Sequence, residues 1–250
     1  MKKRSILTTV IAFVLLVAVI AAGLNAIFTV TYVRANFRTY TERGAAAAEE
    51  LKEELNGYVN RSSVFLDLAE VRATVEANPR FEVVAISKDY PETIAVEIVE
   101  RREAFVIADG AGTYTLLDEE GVVLDTISGA DEHILLEGFG FTVTDGVAGG
   151  EYFGDLMDIY ASLRESLGEV RANVDRISLE SPAQGWAIIR IYMHEGTQIE
   201  LVDPGDRAGE MTAAAVERYL AMSDADRVFR NISVTITTEG DITVDVGNIG

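Results

Sequence analysis

Residues 81–102 read FEVVAISKDYPETIAVEIVERR, and this stretch decides the fold of the first part of the chain. Val83 and Ala85, then Ile94, Val96 and Ile98, alternate with polar residues, which is the period-two pattern of a half-buried sheet. Asp89, Tyr90, Pro91 and Glu92 stand between the two runs. Proline fixes φ and lacks an N–H, so Pro91 marks a turn and pushes Tyr90 into an extended conformation. The stretch predicts a β-hairpin. It holds no nucleophile, no set of metal ligands and no phosphate loop, and so it reads as scaffold for recognition.

Toward the N-terminus, Gly44 to Tyr58 is helical by propensity, with Leu51 and Leu55 on one face. Asp67 is placed to cap a second helix, with Glu70 as a capping-box partner and Leu68, Val71 and Val75 on its apolar face. Asn78-Pro79 ends that helix. Before both, Phe28 to Arg38 alternates as a strand, with Phe28, Val30 and Tyr32 on one face. The resulting order is strand, helix, helix, strand, strand. A three-stranded sheet with two helices on one face makes a complete small α+β domain.

Further upstream, Ser5 to Val33 contains no charged residue, and Met1 to Arg4 is a basic tip. Residues 6–28 are long enough to cross a hydrocarbon core as a helix, which takes about 20 residues. The basic tip at residues 1–5 predicts a cytoplasmic N-terminus and C-terminal domains outside the cell membrane. A cleaved signal peptide is the competing reading, with Ala21-Ala22-Gly23 at plausible cleavage spacing. Ala18, Ala21, Ala22 and Gly23 also offer a small-residue face for helix contacts in the bilayer.

Downstream, residues 104–108, 114–117, 122–124 and 134–137 read as short strands, and the glycine-rich residues 138–151 as a loop. Tyr152 to Val170 is an amphipathic helix. Strands follow at 174–179, 186–192 and 197–202, then a helix at 209–222. Ile232, Val234 and Ile236, then Ile242, Val244 and Val246, mark two closing strands. The fold class is therefore α+β: an N-terminal transmembrane helix, a β-α-α-β-β domain over residues 29–103, and a β-rich domain with two helices over 104–230. Residues 231–250 form the closing strands and tail.

The chemistry to be excluded is extensive. The net charge of −20 opposes nucleic-acid binding through the bulk of the chain. No cysteine is present, so thiolate zinc sites, disulfides and thiol nucleophiles are out. His133 and His194, far apart in sequence, do not make a metal site, and His133 reads as a surface residue. Asp118, Glu119, Glu120, Asp203 and Asp206 are the carboxylates that could do acid–base work. They fall in turns of a chain with 41 acidic residues. Trp186 reads as core. No catalytic, cofactor or metal residue and no small-molecule substrate is expected. The rival reading is a secreted or membrane-anchored cell-wall enzyme using a carboxylate pair. What remains is binding, with one of the closing strands as an exposed sheet edge open to β-augmentation.

Several residues also carry a family resemblance. Asp67, Pro79, Pro91-Glu92-Thr93-Ile94 and Glu100-Arg101, in this order, resemble the POTRA domain of the bacterial division proteins FtsQ/DivIB. The Tyr114…Leu116-Leu117-Asp118…Gly121-Val122-Val123-Leu124 run resembles the start of that family's β domain. The specific residues lie within 65–124, with topology alone matching afterwards. The resemblance implies a non-catalytic scaffold of the septal division machinery. Its implied partners are membrane proteins of the FtsL and FtsB/DivIC type, met through the β domain and the closing strands. It implies a bilayer contact through residues 6–28 and a place at the division septum.

Overall fold

A computed structural model describes residues 11–20, 23, 27–130, 133–183 and 186–249. The chain divides into two compact units, the first ending at Arg101 and the second running from Arg102. Residues 11–20 are helical with exposed apolar side chains. Among the described residues no helix is long and apolar enough to cross a membrane, and part of the expected span at 6–28 lies outside them.

The first unit contains β1 (Tyr32–Arg38), α1 (Glu42–Asn56), α2 (Leu68–Glu76), β2 (Phe81–Asp89) and β3 (Thr93–Glu100). The sheet order is β1-β3-β2, with β1 parallel and β2 antiparallel to β3. A parallel pair needs a long crossover, and here the two helices supply it. Their apolar faces, Ala48, Leu51 and Leu55 from α1 and Val71 and Val75 from α2, close the core over Val33, Phe81, Ile94, Val96 and Ile98.

Three local expectations are corrected. The alternation through Val83 and Ala85 breaks, because a register shift between them admits one extra residue. Ala85 turns outward, Val84 is exposed, and Ile86 packs on the core instead. Arg72 donates to the Val83 carbonyl at this irregularity, at 3.1 Å. The strand predicted from Phe28 begins only at Tyr32. The N–H groups of Thr31 and Tyr32 both approach the Glu92 carbonyl, while Val30 bonds Arg61, so the inward face changes phase there. Asp67 does cap α2, accepting from Ala69 N–H at 2.9 Å, but Glu70 pairs with Arg61 and makes no capping box.

The second unit is built on one long sheet. Its strands are β4 (Glu103–Ala108), β5 (Tyr114–Asp118), β6 (Val123–Ile127), β7 (Ile134–Glu137), β10 (Val174–Ala183), β11 (Trp186–Met193), β12 (Gln198–Val202), β13 (Arg230–Ile236) and β14 (Ile242–Asn248). Their order is β14-β13-β12-β11-β10-β7-β4-β5-β6. Two helices, α3 (Phe153–Leu167) and α4 (Ala208–Ala221), share its main core through Leu156, Ile159, Leu163, Met211, Ala215 and Val216. Val106, Leu116 and Leu124 form a smaller cluster of their own. The stretch read as a glycine-rich loop contains a small hairpin, β8 (Thr142–Thr144) with β9 (Val147–Gly149). Three-residue strands are too short to show a period in sequence. The two units together make a mixed α+β fold.

Candidate functional site

The structure first shows what the candidate carboxylates touch. Asp118 is buried, and one oxygen accepts from the N–H groups of Glu120 at 2.9 Å and Val122 at 2.7 Å. It holds the β5–β6 turn in shape. Glu119 is engaged by Arg164 and, at 3.3 Å, by the Tyr160 hydroxyl. Asp203 and Asp206 lie in the turn before α4. Partial burial first, then the charges of Asp158 and Asp206, push the Asp155 carboxyl above its ordinary range. Like charges gathered this way read as an acidic surface.

The two histidines do meet in one cleft, of about 670 Å³, with Tyr114, Glu169, Arg171 and Asp175 also lining it. His133 is not the surface residue that was expected. Its side chain is 8% exposed, and Nε2 lies 3.0 Å from Glu103. The His194 ring approaches the Arg171 carbonyl at 2.9 Å. Among the described residues no group of three or more His, Cys, Asp or Glu side chains is arranged to hold a metal ion. Trp186, read as core, is 45% exposed where β11 begins.

The closing strands are laid out in full. β14 ends the sheet, with β13 as its one neighbour among the described strands. Two bonds flank the β13–β14 ladder: Thr237 N–H to Asp241 O at 2.9 Å, and Ile249 N–H to Phe229 O at 3.3 Å. Alternate antiparallel pairs exchange hydrogen bonds. The bonded pairs are therefore Thr235 with Thr243, Ser233 with Asp245 and Asn231 with Gly247. The N–H and C=O groups of Ile242, Val244 and Val246 point away from β13, toward the outer edge. Their side chains are half-buried against the main core. Ile232 and Val234 are different: both are fully buried in an interior strand, so neither offers a side chain to a partner. Ile236 is half-buried at the end of the same strand. The opposite edge, β6, is partly covered. Val123 N–H bonds Gly146 O at 2.8 Å, and Val122 bridges Val147 of the small hairpin.

At the end of β14 the chain also leaves apolar surface bare. Phe229 is 68% exposed and sits in the left-handed region at φ 55°, where a bulky residue is uncommon. Val228 precedes it in the chain and is exposed, as is Ile249, whose N–H bonds the Phe229 carbonyl at 3.3 Å. Bare apolar residues that adjoin, as Val228, Phe229 and Ile249 do, mark interaction sites more often than scattered ones.

The residues singled out in the first unit are structural. Glu100 is buried at the end of β3, and its carboxylate accepts from Tyr40 N–H at 2.5 Å, Thr41 N–H at 3.0 Å and the Thr41 hydroxyl. Arg80 lies 3.8 Å away. Thr41 in turn caps α1 through Gly44 N–H. Arg101 pairs with Glu82. Pro91 is in the β2–β3 turn, Thr93 opens β3, and Pro79 precedes β2. Through Thr41, Glu100 fastens the end of β3 to the start of α1.

This arrangement defines a POTRA-type unit followed by a β-rich unit with a free edge. Residues 44–101 match the family model described as POTRA domain, FtsQ-type. The resemblance read from Pro91-Glu92-Thr93-Ile94 and Glu100-Arg101 is borne out over this unit, which is similar to the FtsQ-type POTRA domains of bacterial cell-division proteins. No curated protein matches the chain. Among solved structures, one that matches is the major extracytoplasmic domain of the trans isomer of the cell-division protein DivIB from Geobacillus stearothermophilus. The match covers 49% of this chain and 90% of that one, at 20% identity and a TM-score of 0.31.

Proposed function

We propose that this protein is a non-catalytic, single-pass scaffold of the division machinery, anchored through residues 6–28 with both units outside the cell membrane, at the division septum. It recruits membrane proteins of the FtsL and FtsB/DivIC type. The observation that carries the reading is the outer edge of β14. A partner strand can pair with the backbone of Ile242, Val244 and Val246, with the bare apolar residues around Phe229 beside it. Main-chain pairing supplies affinity, and the partner's alternate side chains supply specificity.

The phase of the ladder gives a clean test. Val244→Pro removes an outward N–H and leaves the ladder to β13 complete, which an edge strand tolerates. Thr243→Pro removes an inward N–H bonded to Thr235 and destabilises the strand. Co-purification with an FtsL and FtsB/DivIC-type pair should fail for Val244→Pro while its melting temperature stays near that of the parent. Undiminished capture by a folded Val244→Pro protein would overturn the edge reading. Val234→Lys is unsuitable as a probe, because it buries a charge in the core and unfolds the unit.

A further inference from the structure

Three chain segments meet where the first unit begins. The backbone of Phe28 accepts from Ser63 N–H at 2.7 Å, and the Ser63 hydroxyl lies 3.0 Å from the same carbonyl and 2.5 Å from that of Pro91. Thr29 bridges Ser62, and the rings of Phe28 and Tyr90 meet edge to face at 6.0 Å. Ser63 is buried, so the junction of residue 28, the 61–66 segment and the β2–β3 turn is fixed. Around this fixed junction the side chains are bare. Ile27 is 58% exposed, Val64 45%, Tyr90 57% and Phe65 88%. Lys88 reaches across to the Val64 carbonyl at 3.1 Å. The four apolar or aromatic residues thus cluster where the uncharged N-terminal segment leaves the domain.

We infer that this end of the first unit is seated in the headgroup layer of the bilayer, with Val64 and Phe65 entering it beside Ile27 and Tyr90 at its water boundary. This rests on the anchored reading above. Continuity of the chain selects the occupant: whatever bilayer takes the apolar segment lies against residue 27, and therefore against the residues bonded to residue 28. Phenyl and aliphatic groups are favoured below the headgroups, while a tyrosine ring suits the boundary, with its body apolar and its hydroxyl wet. Charge is not the driver. The chain is acidic overall, and Arg34 and Arg61 near this end are committed to Asp89 and Glu70. The seat therefore forms on neutral lipid and resists salt.

The cysteine-free chain makes the test direct. Phe65→Cys, at a side chain that packs on almost nothing, is labelled with an environment-sensitive fluorophore in the full chain, reconstituted in phosphatidylcholine nanodiscs. Ala46→Cys, exposed near the start of α1, is the control. That helix begins beside Glu100, at the opposite end of β3, on the order of 20 Å away. The probe at 65 should shift to the blue and be quenched by lipids carrying a nitroxide near the head of the acyl chain, at low and high salt alike. The probe at 46 should do neither. Matching emission at 65 and 46 overturns the seat, as does shielding at 65 that needs an added FtsL-type partner. Extraction of the unlabelled chain by alkaline carbonate is scored separately. Release there sinks the anchor, and the seat with it; retention with a water-exposed position 65 sinks the seat alone.

Discussion

Gly44 and Glu100 form a pair whose coupling can be worked out from the structure. A Cβ on Gly44 would lie 2.1 Å from both the carboxyl carbon and one oxygen of Glu100. That carboxylate cannot swing away freely, because two backbone N–H groups and the Thr41 hydroxyl hold it. Gly44→Ala therefore displaces bonds to a charged group, each worth about 1.5–3 kcal/mol. Alanine returns up to about 1 kcal/mol as the better helix former. The net cost is about 2–5 kcal/mol, against the 5–15 kcal/mol typical of a whole domain. Glu100→Ala alone loses the same bonds and costs a similar amount. With Glu100 already truncated, however, the space beside position 44 is empty, and Gly44→Ala becomes neutral or mildly stabilising. The double-mutant cycle should show a coupling of at least about 2 kcal/mol. Denaturant unfolding of the full chain, followed by far-ultraviolet circular dichroism, reads both units. The single tryptophan, Trp186, lies in the second unit, so its fluorescence transition should hold still. Equal cost of Gly44→Ala in both backgrounds, or a cost below about 0.5 kcal/mol in the parent, would refute the account.

Two further perturbations address the second unit. Asp118→Ala should destabilise it by about 1–3 kcal/mol, moving the Trp186 transition, because two N–H groups lose a buried acceptor; an unmoved transition would return Asp118 to the list of carboxylates free for chemistry. Burial first, and then Glu119 and Glu195 respectively, push the Tyr160 and Tyr219 hydroxyls from 10.0 up to about 12. The folded state thus holds protons that the unfolded state has released. The stability from these groups is complete below pH 10 and is lost as pH rises through about 12. Stability should fall steeply with pH in that window and more gently in Tyr160→Phe/Tyr219→Phe, and identical slopes would show that the two tyrosines are not responsible.

Much of the first unit was legible because its elements are local and periodic. Leu51 with Leu55 and Val71 with Val75 mark helix faces, Asp67 marks a cap, and Ile94, Val96 and Ile98 mark an inward strand face. The failures occur where long-range pairing decides. Nothing local around Val83, Val84 and Ala85 announces an extra residue; the register against β3 imposes it. Glu70 could cap its own helix, but the guanidinium of Arg61 reaches it and the ion pair forms instead. Phe28 and Val30 fit a strand by pattern, yet Arg61 to Ser63 supply their partners and the phase is lost before Tyr32. In the second unit, His133 is buried because Glu103 approaches from β4, thirty residues earlier in the chain. Trp186 is bare because it opens a hairpin at the margin of the sheet. Periodicity states which face a side chain takes, and is silent on what stands opposite.

The closing strands show the same division of information within a few residues. Their alternation in sequence places Ile242, Val244 and Val246 on one face, the face that packs on the main core. It cannot say which of the two strands is outermost, since both alternate equally well. Strand order decides that: β13 lies parallel to β12 and is covered on both sides, and β14 is left outside. It also cannot say where the backbone of each residue points. The turn at Thr237 and Asp241 fixes that, and turns the outer N–H and C=O groups onto the same residues whose side chains close the core. Fold and the proposed recognition therefore fall on one set of residues through different atoms. Substituting their side chains confounds the two roles, whereas removing a single outward N–H separates them.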